Sequence, residues 1–122
     1  MSTDRRFPHH ALDAWWVAVE ARRRTLLLLA QLPTGFGADA GQLRRSSGAV
    51  PKLIAEGACR PPSARGDKRR RFEEAGAEAG ETASGLEELV LLEALPAEDV
   101  HDTNALWGRV VDMATGLQRR WS

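Results

Sequence analysis

Cysteine, histidine and long apolar runs are scarce in this sequence, and each scarcity excludes something. One cysteine, Cys59, stands in 122 residues, so no disulfide can form within the chain, and a reducing, cytoplasmic setting is expected. No stretch approaches the about 18 consecutive apolar residues of a membrane span, so no membrane association is expected. The opening Met-Ser-Thr-Asp-Arg-Arg-Phe-Pro has no apolar run behind it. Arg22-Arg23-Arg24 ahead of Thr25 to Ala30 imitates the layout of a secretion signal, but the apolar run is too short and no small-residue cleavage pattern follows it. Of the histidines, His9 and His10 precede the first helix, in a segment expected to be mobile, and His101 opens the last helix. No His-x-x-x-His is present. Helical bundles can hold di-metal sites through inward glutamates and Glu-x-x-His motifs. Glu56 is the only acid expected on the inner part of helix two, so neither metal nor cofactor is expected. No Gly-x-Ser-x-Gly, Walker-type loop or Cys-x-x-Cys occurs. Cys59 neighbours Arg60, which favours a thiolate, but no histidine or second cysteine is near it in sequence. An enzyme is not expected.

What is present reads as helix throughout. The length suits one domain, residues 1–122, with a core of its own. In helix one, about 11–32, Leu12, Trp15, Val19, Leu26 and Leu29 recur at helical spacing, widened by Trp16 and Leu27. Pro33-Thr34-Gly35 ends it. Helix two, about 38–58, places Leu43, Ser47, Val50 and Ile54 on one face. Pro51 falls inside it, where it removes a backbone donor and crowds the preceding turn; a bend or a split is expected there. Gly57 reads as a C-terminal signal. Pro61-Pro62 cannot continue a helix. Helix three, about 67–95, starts with Asp67 as expected N-cap and aligns Phe72, Ala75, Ala79, Ala83, Leu86 and Val90. The small residues in its middle, Ala75 to Gly85, either let a neighbour approach closely or leave the helix thin. Helix four, about 97–121, follows Pro96. It has Glu98 and Asp99 in its first turn, Arg119 and Arg120 in its last, and Val100, Trp107, Val110, Ala114, Leu117 and Trp121 along one side. Short loops between four such helices predict an all-α, antiparallel up-down-up-down four-helix bundle. Trp16, Leu106, Trp107 and Met113 widen the apolar faces beyond one stripe; surplus apolar surface is ordinarily buried against another subunit, the alternative being one wide core face.

Charge is balanced overall, at 17 basic and 17 acidic residues, but not along the chain. Residues 1–72 carry 14 Lys/Arg against 6 Asp/Glu, and residues 73–122 carry 3 against 11. Arg60, Arg65, Lys68, Arg69, Arg70 and Arg71 crowd the loop and the start of helix three, where the helix dipole disfavours cations. Phosphate could offset that repulsion, because arginine forks match it. So could the acids Glu73, Glu74, Glu78, Glu81, Glu87 and Glu88, acting within the chain or from another subunit.

Residues 42–57, Gln-Leu-Arg-Arg-Ser-Ser-Gly-Ala-Val-Pro-Lys-Leu-Ile-Ala-Glu-Gly, resemble the Q-L-R-R-x-x-x-x-[IV]-P-x-N-I-A-E-G motif of the 23S rRNA intervening-sequence proteins. Leu12-x-x-Trp15, Leu32-Pro33, Phe36-Gly37 and Arg71-Phe72 look like further pieces of the same pattern. Leu53 replaces the motif's asparagine, and Arg69 replaces an aromatic ahead of Phe72. The resemblance implies a four-helix bundle assembled as a homopentameric ring around a channel, without enzymatic activity. In a related group of retroelement accessory factors, a basic ring contacts nucleic acid and a reverse transcriptase. By that likeness the partners expected are further copies of the chain, RNA or DNA, and a nucleic-acid enzyme such as a reverse transcriptase. Arg44, Arg45, Arg60, Lys68, Arg69, Arg70 and Arg71 are the expected nucleic-acid contacts. Gln42, Pro51, Glu56 and Gly57 are the structural motif, with Glu56 expected to be partly buried and to accept hydrogen bonds from an arginine or a helix end. The alternative expectation is a scaffold oligomer that binds another protein and uses its basic residues between subunits.

Overall fold

The computed structural model describes residues 6–122, so the charged opening read at residues 1–5 lies outside the described residues. Among those described there are four α-helices and no strand: α1 (Asp13–Leu29), α2 (Gly37–Cys59), α3 (Arg65–Leu91) and α4 (Ala97–Arg120). They form a four-helix bundle in which α1 packs on α2 and α4, and α3 packs on α2 and α4. Numbering rises along α2 as it falls along α3: the sites of Leu43 and Gly85 adjoin, Ser46 bonds Thr82, and Gly57 lies under Phe72. No helix among the described residues is long and apolar enough to cross a membrane.

The core of α1 differs from the expected face. Its buried residues are Ala14, Ala18, Ala21, Thr25, Leu28 and Leu29, while Val19 and Leu27 are exposed at 38% and 55%. Alanines let the backbones of neighbouring helices come close, so Val19 and Leu27 lie outside the seam, while Leu28 and Leu29 near its end are buried, Leu29 as expected. The vacated space is filled from α4 by Trp107. It is fully buried, and its Nε1 donates to Thr25 Oγ1 at 3.0 Å. Trp107 is therefore a core residue and cannot belong to a subunit interface. Trp16, Leu106 and Met113 are half-buried.

The Leu43, Ser47, Val50 and Ile54 face of α2 is buried as read. Pro51 is buried too, and α2 runs through it unsplit. Proline leaves the carbonyl of Ser47 without its helical donor, a loss the packing around α2 tolerates. The middle of α3 is continuous helix. Its small residues serve close approach at two points: a Cβ on Gly85 would strike Leu43, and one on Gly76 would meet Ala114 Cβ at 3.6 Å.

Helix ends shift from their expected places. At the start, α3 begins at Arg65 after Ala64, so Asp67 sits in its first turn and is not the N-cap. At the far end it stops at Leu91, four residues earlier than read. Ala94 N–H donates to Leu89 O at 2.8 Å and Glu93 N–H to Val90 O at 2.9 Å, which is the paired bonding of a Schellman turn. Glu93 occupies its left-handed position, φ 60°, where glycine usually sits, and so no glycine announced the stop. Ahead of α1, Pro8–Ala11 form a short 3₁₀ turn. The His9 ring lies tilted against Trp15 with ring centroids 4.7 Å apart, and His10 stacks on Trp16 at 5.6 Å. The pair expected to be mobile is thus packed on the bundle.

Candidate functional site

The expected basic residues are delivered to two places. Arg60, Arg65, Lys68, Arg69, Arg70 and Arg71 gather where α2 ends, α3 begins and α4 finishes. Arg44 and Arg45 lie about 24 Å back along α2, taking 1.5 Å per residue. No single surface carries all seven.

Most of the gathered cluster is engaged within the chain. Lys68 is 4% exposed. Its Nζ donates to the carbonyls of Gly57 at 2.7 Å, Arg60 at 2.9 Å and Ala58 at 3.4 Å. These are carbonyls at the C-terminal end of α2, groups that a helix leaves without partners. A cation there also matches the dipole of α2, even though it opposes that of α3. The Trp121 ring lies 4.7 Å from Nζ and covers it. Burial lowers the Lys68 pKa, the Cys59 side opposes that shift and Arg120 adds to it. Lys68 is thus a cap for α2, which corrects its place among the expected phosphate contacts: a lysine so enclosed presents no charge to a ligand.

Its neighbours follow the same pattern. Arg60 pairs with Asp67 at 2.7 Å. Arg71 reaches Glu56 at 3.7 Å and Asp67 at 3.8 Å, so Glu56 is half-exposed and faces an arginine of α3. Arg65 Nη2 donates to the main-chain oxygens of Ser122 at 3.2 Å and Arg120 at 3.5 Å, and its guanidinium lies over Trp121. Farther along α2, Arg45 meets Glu78 at 3.5 Å and Glu81 at 3.4 Å, and Gln42 donates to Glu81 at 3.0 Å. Gly57 has a packing role: a Cβ there would lie 2.8 Å from Phe72 Cε1. Glycine is required because the Phe72 ring lies against the α2 backbone, and the helix continues two residues beyond it.

Three of the seven remain open. Arg44, Arg69 and Arg70 are exposed and have no ion pair among the described residues. The i,i+4 partners available in sequence, Glu73 and Glu74, do not close on Arg69 and Arg70. Trp121 is the element missed as a site residue. The available signal was an aromatic four turns of α4 beyond the core tryptophan, at the helix end nearest the basic run.

A Glu-x-x-His pattern does occur, Glu98 with His101, but both side chains are exposed in the first turns of α4. Among the described residues no group of three or more His, Cys, Asp or Glu is placed to hold a metal. Cys59 is free and exposed. No model of a known protein family matches the chain, and no curated protein matches it.

Proposed function

We propose that the chain is a non-enzymatic, cytoplasmic protein of the kind its α2 motif resembles: an antiparallel up-down-up-down bundle that assembles as a homopentameric ring and binds nucleic acid or a nucleic-acid-processing partner. The observation that carries this reading is Arg69 beside Arg70, exposed and without an ion pair among the described residues, near the N-terminal end of α3 although six acids follow along the same helix. Two free guanidiniums at a helix end that repels them suit a phosphate backbone. Arg44 is a third, separate contact. Contact through so few cations would neutralise charge with little base readout. Trp16, Leu106 and Met113, each half-buried, remain as the apolar contribution to subunit contacts. The opposing order of contacts between α2 and α3 supports the antiparallel arrangement.

The test is the salt dependence of binding to a mixed-sequence RNA and DNA duplex and single strand. Each phosphate contact contributes about 0.7–0.9 to the slope of log K against log salt. Arg69→Gln with Arg70→Gln should flatten it by about 1.5 and weaken binding, while native mass spectrometry still shows a particle near five times 13.4 kDa. An unchanged slope defeats the nucleic-acid reading. Loss of the oligomer with no nucleic-acid effect favours the alternative, a scaffold whose basic residues join subunits.

A further inference from the structure

Arg22 of α1 is a half-buried cation in the seam between α1 and α2. Its guanidinium lies against the α2 backbone at Gly48: a Cβ there would stand 3.1 Å from Nη2 and 3.3 Å from both Cζ and Nε. Near-equal distances to three atoms of one plane mean that the plane rests on the helix, and glycine leaves it that room. Nε alone of its nitrogens is enclosed, and it meets no acceptor. Both Nη groups stay open to solvent. No acid pairs with Arg22 among the described residues. A charge held in a seam without a partner is costly, so the arrangement suits an anion brought from outside.

The same strip of α2 carries two more cations. Arg44 and Lys52 stand four residues before and after Gly48, so the three positions share a face. Both are exposed and without an ion pair among the described residues. They span about 12 Å of helix, with Arg22 between them. The acids of these two helices are all engaged elsewhere. Asp13 lines the α1–α4 groove and Asp39 the α2–α3 groove. Glu20 holds Arg23 and Arg24, and Glu56 faces Arg71. Among the described residues, α2 exposes no large apolar side chain, and within one turn of Arg22 only Val19 is such a residue.

We propose that Arg22, Arg44 and Lys52 form a track along the α1–α2 face for the phosphodiester backbone of a single nucleic-acid strand. The inference rests on the nucleic-acid reading above and adds a second surface to it, with Arg44 part of this track and apart from Arg69 and Arg70. A protein partner ordinarily brings an apolar core to its interface, which this face does not match; a polyanion needs none. An arginine fork held flat presents paired donors to phosphate oxygens, and the flanking cations follow the strand to either side. At about 3.4 Å per nucleotide the track covers about four nucleotides.

The probes are fluorescein-labelled oligo-dT and oligo-U of about 12 nucleotides, within the usual range of single-strand site sizes. Fluorescence anisotropy against the full chain is read across a salt series. Both oligomers should bind alike, since the contacts are to phosphate alone. Lys52→Gln should lower the slope of log K against log salt by about 0.7, and Arg22→Gln with Lys52→Gln by about 1.4. Gly48→Leu changes no charge and favours helix, but it fills the space under the guanidinium. It should weaken binding about fivefold or more, the equivalent of about 1 kcal/mol. Circular dichroism should find the variants folded; were Arg22→Gln to unfold the chain, Lys52→Gln and Gly48→Leu decide the matter without it. An unchanged slope in Lys52→Gln, or indifference to Gly48→Leu, overturns the proposal. If Arg69→Gln with Arg70→Gln flattens the slope in that case, the nucleic-acid reading stands and only this track falls. Absence of binding by either oligomer overturns both. Binding of one oligomer alone overturns the track, since sugar or base would then be read. So does a fall in the native mass of the nucleic-acid-free protein on Arg22→Gln with Lys52→Gln, because the face would then be joined to a second copy.

Discussion

The two ends of α3, about 40 Å apart along its 27 residues, are both charged against the helix dipole, and the bundle treats them differently. At the basic end, Lys68 is drawn under Trp121 to cap α2, Arg60 and Arg71 close on Asp67 and Glu56, and Arg65 fastens the end of α4. At the acidic end, Glu87, Glu88 and Glu93 have no ion-pair partner among the described residues, and two leucines follow exposed in the sequence. The crowded cluster that draws the eye in the sequence is largely internal scaffolding. The acidic stretch, easily read as a solvated face, is the one with unmet charge and unburied apolar surface. Density of charge in a sequence therefore says little about charge available to a partner; the neighbours supplied by other helices decide it.

The contrast breaks most directly at Lys68. Lys68→Met keeps the stem and removes the ammonium, leaving the carbonyls of Gly57, Ala58 and Arg60 without their donor. An unsatisfied buried polar group costs about 1–3 kcal/mol, partly offset by no longer burying a charge, so a loss of about 2 kcal/mol is expected from urea unfolding. Arg69→Gln and Arg70→Gln, exposed and unpaired, should each stay within about 0.5 kcal/mol of the parent. If Lys68→Met proves as mild as those two, the cap is not structural and Lys68 returns to the ligand-facing set.

How far the sequence reached can be judged residue by residue. Helix identity was legible because apolar spacing and proline–glycine punctuation agree, and the α2 face came out correctly because its apolar residues are also its buried ones. On α1 the same rule misled: size was taken as burial, whereas the seam is lined by Ala14, Ala18 and Ala21 and the bulk comes from Trp107 on another helix. Spacing within one segment cannot reveal which partner supplies volume. The motif residues Gly57 and Glu56 were visible in the sequence, but their tasks, receiving the Phe72 ring and facing Arg71, depend on the α2–α3 register. Lys68 was read as exposed because lysines usually are. The end of α3 was missed because the left-handed position carries glutamate.

That position offers a smaller perturbation, at the acidic end. A left-handed conformation costs a non-glycine residue about 1–2 kcal/mol, and glycine adopts it freely but loses more entropy on folding. Glu93→Gly should therefore raise stability by about 1 kcal/mol, read as a higher urea midpoint with an unchanged slope. No gain would mean that the turn is not strained.

The smallest effect is expected beside the basic end, where the 3₁₀ turn rests on α1. Burial lowers the His9 pKa, and the neighbouring His10 lowers it further; the two rings are 4.5 Å apart. A base whose pKa is depressed in the packed state takes up its proton more readily when released. Above the ordinary histidine value of about 6.5, packing of the turn should not depend on His9. As pH falls from there toward the lowered value, the released turn gains a proton that the packed one resists, and packing weakens; below the lowered value the loss levels off. Trp15 and Trp16 report this directly, because His9 and His10 lie against them. Their emission should shift to the red through that window, and His9→Gln should remove most of the shift. If the shift survives in His9→Gln, another group governs the turn and the packing of His9 on Trp15 contributes little to holding it.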